Sequence, residues 1–125
     1  MARFIDSFDS SAVGAYYDTG NTITWTRQSA EHWAHVLAQR IQKIDIKDRG
    51  HADFGDAKLR SATAQGTDGG EVHWTNVRHE LTVNNFQGWA TAEVKGGDRK
   101  RLQDIATWMN SVLNNPTPKI QRDPF

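Results

Sequence analysis

Glu93-Val94-Lys95 sets a carboxylate and an ammonium two residues apart. On a strand, where side chains alternate with period two, both would face one side, and the pair could hold a divalent cation and steady an attacking water. Such a site needs a second carboxylate from a neighbouring strand, for which Glu80 and Asp68 are the candidates. Just downstream, Gly96-Gly97 leads into Arg99-Lys100-Arg101, and these five residues could seat an anion on the free amides of a helix start. Cations at that end of a helix cost about 0.3–1 kcal/mol each, so a solvated first turn balanced by Asp98 and Asp104 is the plainer reading. The five histidines offer a looser set: His32 and His35 lie one helical turn apart beside Glu31, His73 and His79 share strand parity, and His51 precedes Asp53 by two positions. None has the H-E-x-x-H spacing of a zinc helix, so no metal ligand is assigned among them. With no cysteine and no G-x-S-x-G elbow, thiolate chemistry, Cys-ligated metals and the familiar serine nucleophile are excluded.

Two resemblances bear on these residues. Over about residues 89 to 105, the E-x-K strand, glycine turn and basic-headed helix resemble half of the PD-(D/E)xK nuclease family. That resemblance implies Glu93 with Glu80 or Asp68 around magnesium or manganese, and Lys95 beside the attacking water. The family's Pro-Asp element is missing, which puts the second carboxylate in doubt. At the other end, Phe4-Ile5-Asp6-Ser7-Phe8-Asp9 resembles the start of some phage virion proteins, which implies a virion-type structural component and carries no mechanism.

Composition narrows the field. The 125 residues fit one domain around one core. Fifteen basic residues balance fifteen acidic ones, so no global field favours a polyanion or an anionic membrane. Nucleic acid as a partner is therefore not favoured, and no membrane is expected. The apolar runs are a few residues long, and acids stand where a signal peptide needs an apolar region; the expected place is the cytoplasm or an assembled particle.

The elements that must position these groups follow from periodicity. Ala12–Tyr17 and Thr22–Arg27 alternate around Asp18-Thr19-Gly20-Asn21, which predicts a hairpin. Ser29 is a good N-cap for a helix to about Ile44, because Ala30, Trp33, Ala34, Leu37, Ile41 and Ile44 make one stripe. Residues 57–65 and 71–77 read as strands about a glycine-rich turn, and 89–95 as a further strand. A last helix opens at Asp98, presents Leu102, Ile105, Ala106, Met109, Val112 and Leu113 on one face, and stops before Pro116.

This order predicts an α+β domain over 1–115, with residues 1–10 as an arm and 116–125 as a Pro-rich tail. Its sheet is mainly antiparallel, with about five or six strands and two amphipathic helices packed on one face. A sheet of that kind leaves a face for association. The leading expectation is therefore a non-enzymatic assembly or binding protein, a homo-oligomer or bound to a protein partner, with Phe4, Phe8, Trp108 and Phe125 as contacts and no cofactor. The alternatives are the magnesium- or manganese-dependent nuclease and a small-molecule enzyme with a histidine acid or base in a pocket between helices and sheet. Whether the chain is an enzyme is left open at this stage.

Overall fold

A computed structural model describes residues 1–48 and 71–114. The elements run α1 (Ala2–Asp6), β1 (Ala15–Asp18), α2 (Thr19–Thr26), α3 (Ala30–Leu37), a 3-10 turn (Ala38–Arg40), β2 (Ile41–Ile46), α4 (Trp74–Val83), β3 (Trp89–Ala92) and α5 (Arg99–Asn114). The three strands form one sheet in the order β1-β2-β3, and both pairings are parallel. The expected antiparallel sheet of five or six strands is therefore corrected to three parallel strands among the described residues, each followed by helix. Parallel neighbours need a crossover rather than a tight turn, and α2 with α3 supplies the first.

Three local features account for the difference. At Asp18-Thr19-Gly20-Asn21, where a hairpin turn was expected, the Asp18 carboxylate accepts hydrogen bonds from the Asn21 backbone N–H (2.7 Å) and from Asn21 Nδ2 (2.6 Å). It thereby caps α2 rather than turning a hairpin. Ser29 does cap α3, accepting from the His32 N–H at 3.2 Å, but that helix ends at Leu37 because Ala38 takes a positive φ of 48°. Past this break, Ile41, Ile44 and Ile46 continue as β2, where their β-branched side chains suit a pleated strand. Residues 71–73 lie outside regular structure and Trp74–Val83 is a helix, so the helical spacing of Trp74, Val77 and Leu81 prevails over the β-branched content. The expected strand over 57–65 and the tail over 116–125 lie outside the described residues.

Two expectations match the observed elements in whole or part. Of the strand read over 89–95, β3 occupies Trp89–Ala92 and stops short of Glu93 and Lys95, and α5 starts beyond Asp98, whose carboxylate accepts from the Arg101 N–H at 2.8 Å. Within the N-terminal residues, Ala2–Asp6 form the short helix α1. It is tied to the end of the 3-10 turn by a two-pronged pair in which Arg40 Nε and Nη2 donate to the Asp6 carboxylate. That hydrogen bonding holds the Asp6 carboxyl below its ordinary value. The pair's contribution is thus present above the usual carboxylate range and is lost as pH falls through the lowered value.

The sheet has two unlike faces. Tyr17, Ile44 and Ile46 are fully buried on one of them, in a core shared with Ile23, Ala34 and Leu37 of the first helices and with Trp74, Val77, Ile105 and Val112. Tyr17 also donates its hydroxyl to the Ala30 carbonyl at 2.6 Å, pinning the start of α3 to β1, and burial pushes its pKa up. Register places Tyr16, Lys43 and Trp89 in one row of the opposite face and Asp18, Asp45 and Thr91 in the next. Tyr16 and Trp89 are exposed there. No described helix is long and apolar enough to cross a membrane.

The join between β2 and β3 depends on Gly88, where an added Cβ would lie 2.2 Å from the Gln42 carbonyl oxygen. Backbone cannot give way as a flexible side chain does, so Gly88→Ala should cost about 1–3 kcal/mol or more. Gly96→Ala, with nothing within 4 Å of the new methyl, is the matched control. Urea denaturation of the two variants checks the contrast.

Candidate metal centre

Each of the three strands ends in, or leads directly to, an acid. Asp18 closes β1, Asp45 is the penultimate residue of β2, and Glu93 follows β3. Parallel pairing puts these ends side by side: Asp18 is in register with Asp45, and Asp45 with Thr91. Glu93 lies two positions beyond Thr91 on the same face, held by its N–H donating to the Ile46 carbonyl at 3.2 Å. One carboxylate oxygen from each of Asp18, Asp45 and Glu93 lies within 4.8 Å of the others. An antiparallel sheet would have sent alternate strand ends to opposite edges; here topology gathers all three.

The surroundings fix these carboxylates in distinct ways. Asp18 is oriented by Asn21, as above. Asp45 is 8% exposed; one of its oxygens, Oδ2, accepts a short hydrogen bond from the Tyr16 hydroxyl, and that hydroxyl accepts in turn from Lys43 Nζ at 2.6 Å. This bond to the Tyr16 oxygen holds Lys43 above its ordinary pKa. The other oxygen, Asp45 Oδ1, is buried and accepts no hydrogen bond, although buried polar atoms are ordinarily satisfied. Thr19, fully buried, ties the ends of β1 and β2 together: its hydroxyl lies 3.0 Å from the Asp45 carbonyl and 2.6 Å from that of Lys47, and accepts from the Lys47 N–H.

Lys47 enters the group from beyond β2. Its Nζ is 2.7 Å from Glu93 Oε2 and 3.1 Å from Asp18 Oδ2. Burial works against its charge, but the hydrogen bonds to Glu93 and Asp18 prevail and leave its pKa raised. Gly20 makes room for it, since a Cβ there would stand 2.9 Å from Lys47 Cγ.

Of the described residues singled out by sequence, Glu93 stands in this cluster and the others are elsewhere. No ion pair joins Glu93 to Lys95 among the described residues; the ammonium beside Glu93 is that of Lys47. Glu80 lies in the helical layer, paired with His35 at 3.1 Å, and Asp68 is outside the described residues. His73 pairs with Glu31 across the same α3–α4 seam, and no histidine joins a metal-competent group among the described residues. Gly96, Gly97, Arg99, Lys100 and Arg101 fall on the loop and first turn of α5, where Asp98 already occupies the Arg101 amide and Asp104 pairs with Lys100 at 2.9 Å. Phe4 and Phe8 are exposed and stack edge to face at 5.1 Å, Trp108 is buried in the core, and Phe125 lies outside the described residues. Sequence reasoning missed Asp18, Asp45 and Lys47. The available signal was a short stretch carrying strand-forming apolar residues and closed by an acid, repeated in Ala-Tyr-Tyr-Asp, Ile-Gln-Lys-Ile-Asp and Trp-Ala-Thr-Ala-Glu.

The model of a family described as the xylose isomerase-like TIM barrel matches residues 1–112. No curated protein and no solved structure matches the chain. The match agrees with a parallel strand-and-helix alternation, and it overturns the expectation of a non-enzymatic assembly protein or virion-type structural component. In barrels of this type, active sites are built at the C-terminal ends of the strands, the edge at which Asp18, Asp45 and Glu93 meet.

Proposed function

Because the chain belongs to the xylose isomerase-like TIM barrel family, we propose that it is a divalent-metal-dependent enzyme that moves a proton between adjacent carbons of a sugar-like hydroxy-carbonyl substrate. The observation that carries this reading is the convergence of Asp18, Asp45 and Glu93 at the C-terminal ends of three adjacent parallel strands. An all-carboxylate donor set suits a hard cation such as magnesium or manganese. The buried Oδ1 of Asp45 fits the same group, because it accepts no hydrogen bond and the Lys43 ammonium stands 3.9 Å from it, longer than a hydrogen bond. When bound, a divalent cation supplies Lewis-acid polarisation of substrate carbonyl and hydroxyl oxygens.

The chain's own residues divide the remaining work. Asp18 and Asp45, oriented by Asn21 and Tyr16, hold and position. Glu93 has the most exposed side chain of the three, at 52%; one of its oxygens belongs to the donor set, and the other is left to take a proton from a substrate carbon. That proton returns to the former carbonyl carbon while the hydroxyl proton passes to the former carbonyl oxygen. The exchange is redox-neutral and needs no co-reactant. Tyr16 and Trp89, exposed in the row below, offer aromatic surface for the apolar face of a sugar ring.

The test uses the full chain with manganese. Electron paramagnetic resonance titration should show a bound ion, and NMR in D2O with a panel of aldoses, ketoses and their phosphates should show metal-dependent deuterium entering beside the carbonyl of at least one. Metal binding without exchange in any member would remove the proton-transfer reading; absence of binding would remove the metal centre as well.

A further inference from the structure

Among the described residues two ammonium groups reach the cluster: Lys43 stands 3.9 Å from Asp45 Oδ1, whereas Lys47 sits among the ligand atoms themselves. Its ammonium hydrogen-bonds Glu93 Oε2 at 2.7 Å and lies 3.1 Å from Asp18 Oδ2, oxygens of two of the three carboxylates that a cation would need. Its side chain is 20% exposed, so the ammonium is tucked into the site and not laid over it. The backbone is cut to fit: Gly20 leaves the space that the Lys47 stem fills, and Thr19 holds the Lys47 backbone at both its N–H and its carbonyl. Three carboxylates brought so close repel one another unless a positive charge lies between them.

We propose that Lys47 is a built-in counter-cation, which holds Asp18 and Glu93 together in the metal-free protein and is displaced from them when a divalent cation binds. This inference rests on the metal-centre reading above and adds a competition to it. A lysine ammonium can make hydrogen bonds but cannot draw in several oxygens at metal-ligand distance as a divalent ion does, so the exchange runs in favour of the divalent cation. Asp45 Oδ1, which has no hydrogen-bond donor in the resting arrangement, is the ligand that the lysine leaves unused. The site is thereby kept closed and charge-balanced until a sufficiently strong cation arrives, and the freed ammonium is left at the mouth of the site, beside whatever substrate follows.

Two measurements test this together. The first is Mn2+ affinity, by calorimetry, of wild type, Lys47→Met and Lys47→Gln. Removing the competitor should tighten binding by about tenfold or more, while lowering the Tm of the metal-free protein and enlarging the rise in Tm on adding Mn2+. The second uses wild-type protein alone, so that a variant that fails to fold does not stall the test. The rate at which an amine-acylating reagent labels Lys47, read by mass spectrometry, should rise severalfold on adding Mn2+, with the exposed Lys100 as internal reference. Unchanged or weaker Mn2+ affinity in the variants, with an unchanged labelling rate, would falsify the displacement and leave the metal centre standing. Binding by a Lys47 variant but not by wild type would uphold the competition in its strongest form. Absence of Mn2+ binding in all three proteins would overturn the metal centre itself, and this inference with it.

Discussion

Asp45→Asn should cost the protein its divalent cation and leave its fold intact. Residues that merely orient a metal ligand typically change affinity about 10- to 100-fold, so loss of a direct, buried ligand should weaken Mn2+ binding by about a hundredfold or more. Stability should not follow. The asparagine keeps the shape, can still accept from the Tyr16 hydroxyl, and removes a carboxylate that is 8% exposed and has one oxygen without a hydrogen bond, 3.9 Å from the Lys43 ammonium. Taking such a charge out of the interior relieves its desolvation, so the metal-free variant should unfold at the same denaturant concentration as wild type or a higher one. Calorimetry with Mn2+ and urea denaturation of the same sample separate the two effects. A variant that lost stability in proportion to metal affinity would show Asp45 to be a structural acid, and the cluster would lose its central ligand.

The largest effect on stability should come from Trp74→Ala. Trp74 is 4% exposed in the first turn of α4 and meets Trp108 of α5 edge to face, with ring centroids 5.5 Å apart. Truncating a buried tryptophan removes its transfer free energy and leaves a cavity, at a cost of about 3–5 kcal/mol, a large share of the total for a domain of this size. Trp25→Ala is the comparison, because that ring is 76% exposed on α2 and should change the unfolding midpoint little. Guanidinium denaturation, followed by far-ultraviolet circular dichroism so that the lost tryptophan does not bias the signal, gives both numbers. Near-equal losses would mean that the α4–α5 contact contributes little to the core.

Several elements could be read from residue types alone because their signals are local. Ser29 and Asp98 cap helices by accepting amides three residues on, and Ile105 and Val112 of the stripe read on the last helix are buried, although Leu102 is exposed and the buried Trp108 stood outside the stripe. Trp89 to Ala92 is a strand in both accounts. The readings that failed lie where two local signals compete. Leu37, Ile41 and Ile44 fit a helical stripe and a buried strand equally well, and the choice is made at Ala38, whose positive φ no residue type announces. Asp18-Thr19-Gly20-Asn21 has the composition of a hairpin turn and of a helix cap; pairing of β1 with a strand beyond two helices selected the cap. Trp74 to Leu81 carries β-branched residues at helical spacing, and burial of Trp74, Val77 and Leu81 on one side favoured the helix.

By itself the sequence determined what chemistry was out of reach and where two of the helix caps, Ser29 and Asp98, lie. Zero cysteines and balanced charge hold whatever the fold, and a cap depends on neighbours within three residues. It also marked Glu93 as a chemical group, through its two-residue spacing to Lys95. The tertiary structure decided the partners. Asp18, Asp45 and Glu93 are separated by 27 and 48 positions, and no local rule says whether three strands run the same way. Parallel pairing brought their ends to one edge, placed Lys47 rather than Lys95 beside Glu93, and sent Glu80 to a helix facing His35. Direction of pairing is set by how long crossovers pack on a shared core, an energy spread over residues far apart in the chain, and for that reason the centre became visible only once the strands were in place.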